Sequence, residues 1–221
     1  FKNLNLGIDP TLFTSNQIKK FFLKNNKVTS IGKNLIDKIY KFKSMKKIPF
    51  YTLNRETTGE SHLQKISRVC SYLKRNKFDY LFITAPENIA WLLNIRGYDN
   101  PTSPIPNSYL LIDKEKNIYL IVEKDKTKNL VKVKRFKESQ IIDPKNITLL
   151  FQRLKRGNIL IDEKTCSMHF EKVLKKRFKI IKKEDPIYLF KSIKNKTEIK
   201  NMIDTHIIDG VALTKFIFWI K

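Results

Sequence analysis

Arg96-Gly97-Tyr98-Asp99-Asn100 is the segment whose residue types could engage a ligand. A guanidinium can hold a carboxylate through two parallel hydrogen bonds. Arg96 and Asp99 fall in a turn behind a helix, the kind of loop that carries ligand contacts. The competing reading is that the two pair with each other and pin the loop.

Other chemistry is sparse. The histidines, His62, His169 and His206, make no His-x-His or His-Glu-x-x-His pattern. Asp209, three residues after His206, would share a helix face with it, but one His and one Asp fall short of a metal site. His206 therefore reads as a half-buried histidine with its hydrogen bonds met. Six glycines leave little room for a phosphate loop. No Gly-x-Ser-x-Gly elbow is present. Asp162-Glu163 and Glu184-Asp185 are neighbours at element ends. Adjacency does not converge two carboxylates on a substrate, so they read as caps and solvated turns. No catalytic residue and no metal ligand are assigned within the chain.

The net charge of +24 raises a nucleic-acid reading. Of the basic residues, 37 are Lys and 8 are Arg, and they are spread over the whole chain, denser at its start. A specific reader of nucleic acid concentrates Arg, or Lys with aromatics, on one surface. Abundant Lys, Ile and Asn together suggest a coding bias toward A and T, so a solvated basic surface is expected, with no specific nucleic-acid site. Cys70 and Cys166 lie far apart in helical patterns and read as reduced, buried thiols, which suits a reducing cytosol. No apolar run reaches the roughly 18–20 residues that span a bilayer, so no membrane association is expected.

The elements around Arg96 are legible from capping and periodicity. Thr14 or Ser15 caps a helix to about Lys24 with Ile18, Phe21 and Phe22 on one side. Val28 to Ile31 is β-like, Asn34 to Tyr40 a short helix or turn, and Lys41 to Pro49 a linker. Ser61 or Thr58 caps a helix that buries Leu63, Ile66, Val69, Cys70 and Leu73. Tyr80 to Thr84 is an apolar run suited to a strand covered on both faces. Pro86 opens a helix running to about Ile95 and ending near Gly97, with Glu87 in its first turn. A proline-rich loop, Tyr98 to Pro106, leads to a hairpin of Ser108–Asp113 and Asn117–Glu123. Thr127 to Lys137 is helical or irregular, and Gln140 to Asp143 a short strand. A helix from Pro144 to Arg156 is closed by Gly157. Asn158–Asp162 is a strand, Lys164–Arg177 a helix and Phe178–Ile181 a strand. This order makes an α/β domain with a mixed sheet. Asn195 and Glu198 form a capping box for a last helix. Its stripe of Ile199, Met202, Ile203, His206, Gly210, Leu213, Phe216, Ile217 and Ile220 is expected to be one buried face whose partner elements lie outside the chain.

Ile89 to Ile112 resembles the middle domain of cytosolic-type Xaa-Pro aminopeptidases, a creatinase/prolidase-type family. Ala90, Trp91, Leu92, Leu93, Asn94, Arg96, Gly97, Asp99, Pro104, Ser108 and Tyr109 match its helix-and-loop pattern, and Ser103 replaces the usual Asn before that proline. Collinear matches support this. Gly7-Ile8-Asp9-Pro10 with Thr14, and Asn34 to Tyr40 with Tyr in place of Trp, resemble the family's first domain. Thr58 to Ser61 with Lys65-Ile66 resembles the opening of the middle domain. Lys194-Asn195, Glu198-Ile199, Met202, His206-Ile207 and Asp209 to Leu213 resemble the first catalytic-domain helix.

The resemblance implies a fold and a role. The fold is a creatinase/prolidase N-terminal-type α/β domain with a mixed β-sheet flanked by helices, plus the first helix of a pita-bread catalytic domain. Residues 1–55 would end a first domain and linker, 56–185 form the middle domain, and 186–221 begin the catalytic one. The full family is a two-metal hydrolase, usually with manganese, that removes an N-terminal residue preceding proline. Its five ligands lie downstream of that first helix, so this chain is expected to hold no cofactor and to be inactive alone. Expected partners are the missing catalytic domain, in cis or as a separate chain, peptides with proline second, and a second copy in a homodimer. Arg96 and Asp99 would serve as substrate-cleft or interface contacts. The alternative is a non-catalytic creatinase-type binding or scaffold module.

Overall fold

The computed structural model describes residues 3–22, 25–32, 34–40 and 47–221. In the first stretch, β1 (Asn5–Ile8) pairs in parallel with β2 (Lys27–Ser30) around α1 (Ser15–Phe21), followed by α2 (Ile36–Ile39). Thr14 caps α1 as expected, in a reciprocal box with Gln17. Ile18 is buried, but Phe21 is 63% exposed, so the expected apolar side is narrower. Of the expected linker, residues 41–46 lie outside the described residues.

The next elements are β3 (Tyr51–Thr52), α3 (Arg55–Thr58), α4 (His62–Arg75), β4 (Tyr80–Ile83), α5 (Pro86–Leu93), β5 (Ile95–Arg96), β6 (Tyr109–Asp113) and β7 (Ile118–Ile121). Then come α6 (Lys128–Lys132), β8 (Ile141–Ile142), α7 (Ile147–Arg153), β9 (Asn158–Ile161), α8 (Met168–Lys175), β10 (Lys179–Lys182), α9 (Pro186–Ser192) and α10 (Lys196–Ile220). A six-stranded mixed sheet runs in the order β10-β9-β4-β6-β7-β8. β4 sits between parallel β9 and antiparallel β6, and β6 with β7 is the expected hairpin.

Successive strand side chains point to opposite faces, and β4 divides accordingly. Leu81 and Ile83 join Ile66, Val69, Leu73, Ile89 and Leu92 of α4 and α5 in one core. Tyr80 and Phe82 join Phe151 of α7 and Leu174 of α8 in the other. Each such side chain contributes roughly 1.5–3 kcal/mol on burial. Two faces covered by helices explain why β4 reads as an unbroken apolar run.

Several boundaries differ from expectation. Ser61, with Gln64, caps α4, whereas Thr58 ends α3, a helix the periodicity does not announce. Leu63 is 63% exposed, and Lys65 takes a place on the buried face at 1%. α5 stops at Leu93 because Asn94 turns left-handed at φ 51, a conformation a short polar side chain tolerates. Ile95 and Arg96 are then extended and pair with Tyr51 and Thr52. α7 ends at Arg153, and Gly157 does not close it. A Cβ at Gly157 would come within 2.5 Å of the Asp79 carboxylate, so glycine there serves a close approach. α8 begins only at Met168, behind the Ser167 cap. α10 has its capping box, but its apolar stripe is not buried: every residue from Asn201 onward is exposed.

Candidate functional site

Arg96 is placed by two backbone facts: the left-handed Asn94 turns the chain out of α5, and β5 fixes it against β3. Its Nη1 donates back to the carbonyls of Ala90 (3.1 Å) and Ile95 (2.9 Å). Among the described residues, its Nε and Nη2 have no hydrogen-bond partner and no carboxylate pairs with it. Burial lowers the guanidinium pKa. Tyr51 stands opposite Arg96 across the two-stranded ladder, and its ring lies 5.3 Å from that of the exposed Tyr98. The corner thus presents half of an arginine fork beside two aromatic rings. That combination suits a carboxylate on a peptide or a partner chain.

Asp99 does something different. Its Oδ1 accepts from Lys126 Nζ at 2.6 Å and its Oδ2 from the Asn107 amide at 2.7 Å. Its side chain is 7% exposed. The competing reading, an Arg96–Asp99 pair, is not what the fold makes. Asp99 instead ties the loop to Lys126, whose carbonyl receives the Phe50 amide at 2.8 Å. The Phe50 ring packs so closely on Gly97 that an added Cβ would lie 3.0 Å from it.

Two further cations gather at the C-terminal end of α5; the sequence reading names Lys65 only as part of the family resemblance and does not single out Arg135. Lys65 Nζ donates to Trp91 O (3.0 Å) and to Asn94 Oδ1 (2.8 Å). Arg135 Nη1 donates to Leu93 O (3.2 Å). With Arg96 on Ala90 O, three positive groups meet the last-turn carbonyls and the negative end of the helix dipole. Burial drives the Lys65 pKa down to about 8, only partly offset by Glu198 and Glu60. His62 is held down to about 4, by burial first and then by Arg135. Lys65 had a signal: it lies four residues before Val69 and eight before Leu73, on the buried face. Arg135 had none, because no regular period places it.

The acidic pairs also differ from expectation. Glu163 and Glu184 are exposed, but Asp162 and Asp185 are both 3% exposed and meet. Asp162 Oδ2 accepts the Asp185 amide (3.0 Å) and its Oδ1 the Lys164 amide (2.8 Å). Asp185 caps α9 through Ile187 (2.9 Å) and accepts from Asn88 Nδ2 (2.7 Å), while Lys191 donates to Asn88 Oδ1 (2.6 Å). Burial raises the Asp185 carboxyl to about 6, against the lowering effect of these hydrogen bonds. The oxygens are engaged, so the cluster secures α9 to the sheet and does not address a substrate.

His206 is exposed, not half-buried, beside a hollow of about 420 Å³ lined by Thr57, Glu198, Asn201 and Met202. Among the described residues no three His, Cys, Asp or Glu converge to hold a metal ion. The residues described do not fit the two-metal centre that the resemblance implies. Cys70 and Cys166 are free and buried. No helix of the described residues is long and apolar enough to cross a membrane.

Comparison with known proteins agrees with this architecture. The creatinase/prolidase N-terminal domain family matches residues 41–198. Xaa-Pro aminopeptidase 1 of Dictyostelium discoideum is 31% identical over 239 residues, covering 100% of this chain and 37% of that protein. A probable Xaa-Pro aminopeptidase P of Laccaria bicolor is 28% identical over 100% of this chain and 36% of its own length. The chain therefore spans little more than a third of these relatives. The crystal structure of an X-prolyl aminopeptidase from Caenorhabditis elegans, described as a cytosolic enzyme with a di-nuclear active site, superposes with a TM-score of 0.81 at 23% identity. That match covers 100% of this chain and 38% of the nematode one. On the extent of the family match and the shared mixed sheet, this chain belongs to the creatinase/prolidase N-terminal domain family.

Proposed function

We propose that this chain is the non-catalytic part of a metal-dependent Xaa-Pro aminopeptidase, which removes an N-terminal residue preceding proline. One observation carries the reading: alignment to such enzymes runs through the whole chain, not only its central domain. Residues 1–55 end a first domain, 56–185 form the middle domain, and 186–221 begin the catalytic domain. Two divalent metals, manganese by family habit, sit on polypeptide outside these residues. Since the described side chains do not fit that centre, no catalytic step runs through them. Their contribution is shape and contact. Arg96, with its unused donors, is the carboxylate contact to peptide or partner subunit. Asp99 holds the Arg96 loop in place. The assembled enzyme is a cytosolic homodimer, and the free buried thiols support a reducing compartment.

The test joins this chain to the part of the Dictyostelium relative that lies outside the alignment and loads the folded product with manganese. Release of the first residue from an X-Pro peptide is expected, with none from this chain alone. A folded, metal-loaded fusion without turnover overturns the reading and favours a binding or scaffold module.

A further inference from the structure

Four helices meet in one closed ring of polar contacts. Asn195, the cap of α10, donates from Nδ2 to the carbonyl of Thr58 at the end of α3 (2.9 Å). Thr58 Oγ1 accepts from Asn94 Nδ2 behind α5 (3.2 Å), and Asn94 Oδ1 accepts from Lys65 Nζ of α4 (2.8 Å). Lys65 also donates to Trp91 O, and its ammonium lies 4.0 Å from the centre of the Trp91 ring. Trp91 Nε1 donates to Glu198 Oε1 (3.0 Å), and Glu198 Oε2 accepts the Asn195 amide (3.0 Å). Gly59, in the left-handed region at φ 70, lies so close that any Cβ there would strike the Asn195 amide group.

Lys65 is 1% exposed, yet among the described residues its ammonium bonds a carbonyl and an amide oxygen and no carboxylate. The charged groups that face it are Glu198 from α10, Glu60 ahead of α4, Arg96 from β5 and Arg68 from α4 itself. An apolar side chain of similar volume would avoid the desolvation of a buried ammonium. What it could not supply is a side-chain donor that joins Asn94 Oδ1 to the Trp91 carbonyl, beyond the bond that the Asn94 amide already makes there. Asn94 is the residue whose left-handed turn directs Arg96, and Trp91 is the residue that holds Glu198 of α10.

We propose that Lys65 is a positioning residue that joins the first turn of α10 to the Asn94–Arg96 corner, so that displacement of either is transmitted to the other. The coupling belongs to this chain's own elements and does not depend on the peptidase reading. On that reading, it ties the opening helix of the catalytic domain to the carboxylate contact.

Amide hydrogen exchange on the intact chain tests it. Leu53, which donates to Asn94 O, reports the corner, and Ile199, which donates to Asn195 O, reports α10. Glu198→Ala should speed exchange at Leu53, and Lys65→Met should speed exchange at Ile199, each on the order of tenfold. The double variant should do little more than either alone. Trp91→Phe, which keeps the ring and removes the Nε1 donor, should reproduce the effect and carries the test if Lys65→Met does not fold. Amides of β4 and β6 should stay protected throughout. Loosening confined to the mutated side, or effects that simply add, overturns the proposal.

Discussion

Replacing Lys65 by methionine should change how stability depends on pH more than it changes stability at pH 7. The folded protein holds this amine at about 8, against 10.5 unperturbed. At 1.36 kcal/mol per unit, that difference corresponds to about 3 kcal/mol. Between about pH 8 and 10.5 the unfolded chain binds the proton and the folded chain does not, so stability from this group rises with pH. The contribution is fully present above the unfolded value and is lost as pH falls through about 8. Methionine fills much of the same space without titrating. At pH 7 the variant escapes the desolvation cost but strands Asn94 Oδ1, a loss of roughly 1–3 kcal/mol, so the two effects largely cancel. Urea unfolding of both proteins at pH 7, 8, 9 and 10.5, followed by circular dichroism, reads the difference directly. Titration of all other groups is common to both and drops out. The difference should move toward the wild type by about 3 kcal/mol across that span. Parallel stability curves would show that the folded state does not depress the Lys65 pKa.

Further outcomes follow from neighbouring groups. His62 is depressed from 6.5 to about 4, so its contribution is complete above pH 6.5 and fades as pH falls through about 4; His62→Gln should flatten that part of the profile, and NMR titration of the ring should show the low midpoint. Phe82 is 1% exposed, with the rings of Phe151 and Phe170 edge-on at 5.4 and 5.3 Å; Phe82→Ala should cost about 3–5 kcal/mol in chemical denaturation. Arg96 and Asp99 should separate by role. Arg96→Met should leave the melting temperature of the chain within a few degrees while lowering X-Pro cleavage in the active fusion, whereas Asp99→Ala should lower the melting temperature by stranding the Lys126 ammonium and the Asn107 amide.

The main architecture was legible because it rests on strong local signals. Pro86 after the Tyr80–Ile83 run marks strand and helix together, and the Asp113–Asn117 turn marks the hairpin. Reciprocal caps at Thr14, Ser61 and Asn195 set three helix starts with side chains alone. The misses share a cause. Periodicity carried α5 past Asn94 and α7 past Arg153, but tertiary bonds decide those ends: Asn94 bonds Thr58 and Glu60, and the Arg177 guanidinium bonds Leu154 O. The candidate site was read in part. Arg96 and Asp99 were identifiable by type, but their partners, at Ala90, Lys126 and Asn107, required the folded chain. Lys65 was given no role of its own because a lysine on an apolar face reads as an interruption until the carbonyl it serves is known.

The placement of the open donor follows from where the sheet is closed. In open α/β sheets the natural crevice lies beyond the carboxyl ends of the strands, where the strand order switches. Here that switch is at β4, flanked by parallel β9 and antiparallel β6. Asp162 stands just beyond β9, and Thr84 just beyond β4 bonds Thr165 at 2.8 Å. Asp185, Asn88 and Lys191 complete a buried network over this end, and α9 is capped into it. The crevice is occupied by the chain itself. At the opposite end of α5, Asn94 turns the backbone out and Lys65, Arg96 and Arg135 donate to the last carbonyls of the helix, with Glu198 and Glu60 facing Lys65. Among the described residues the fold supplies Arg96 with carbonyls on Nη1 only, so its Nε and Nη2 stay open to a further acceptor.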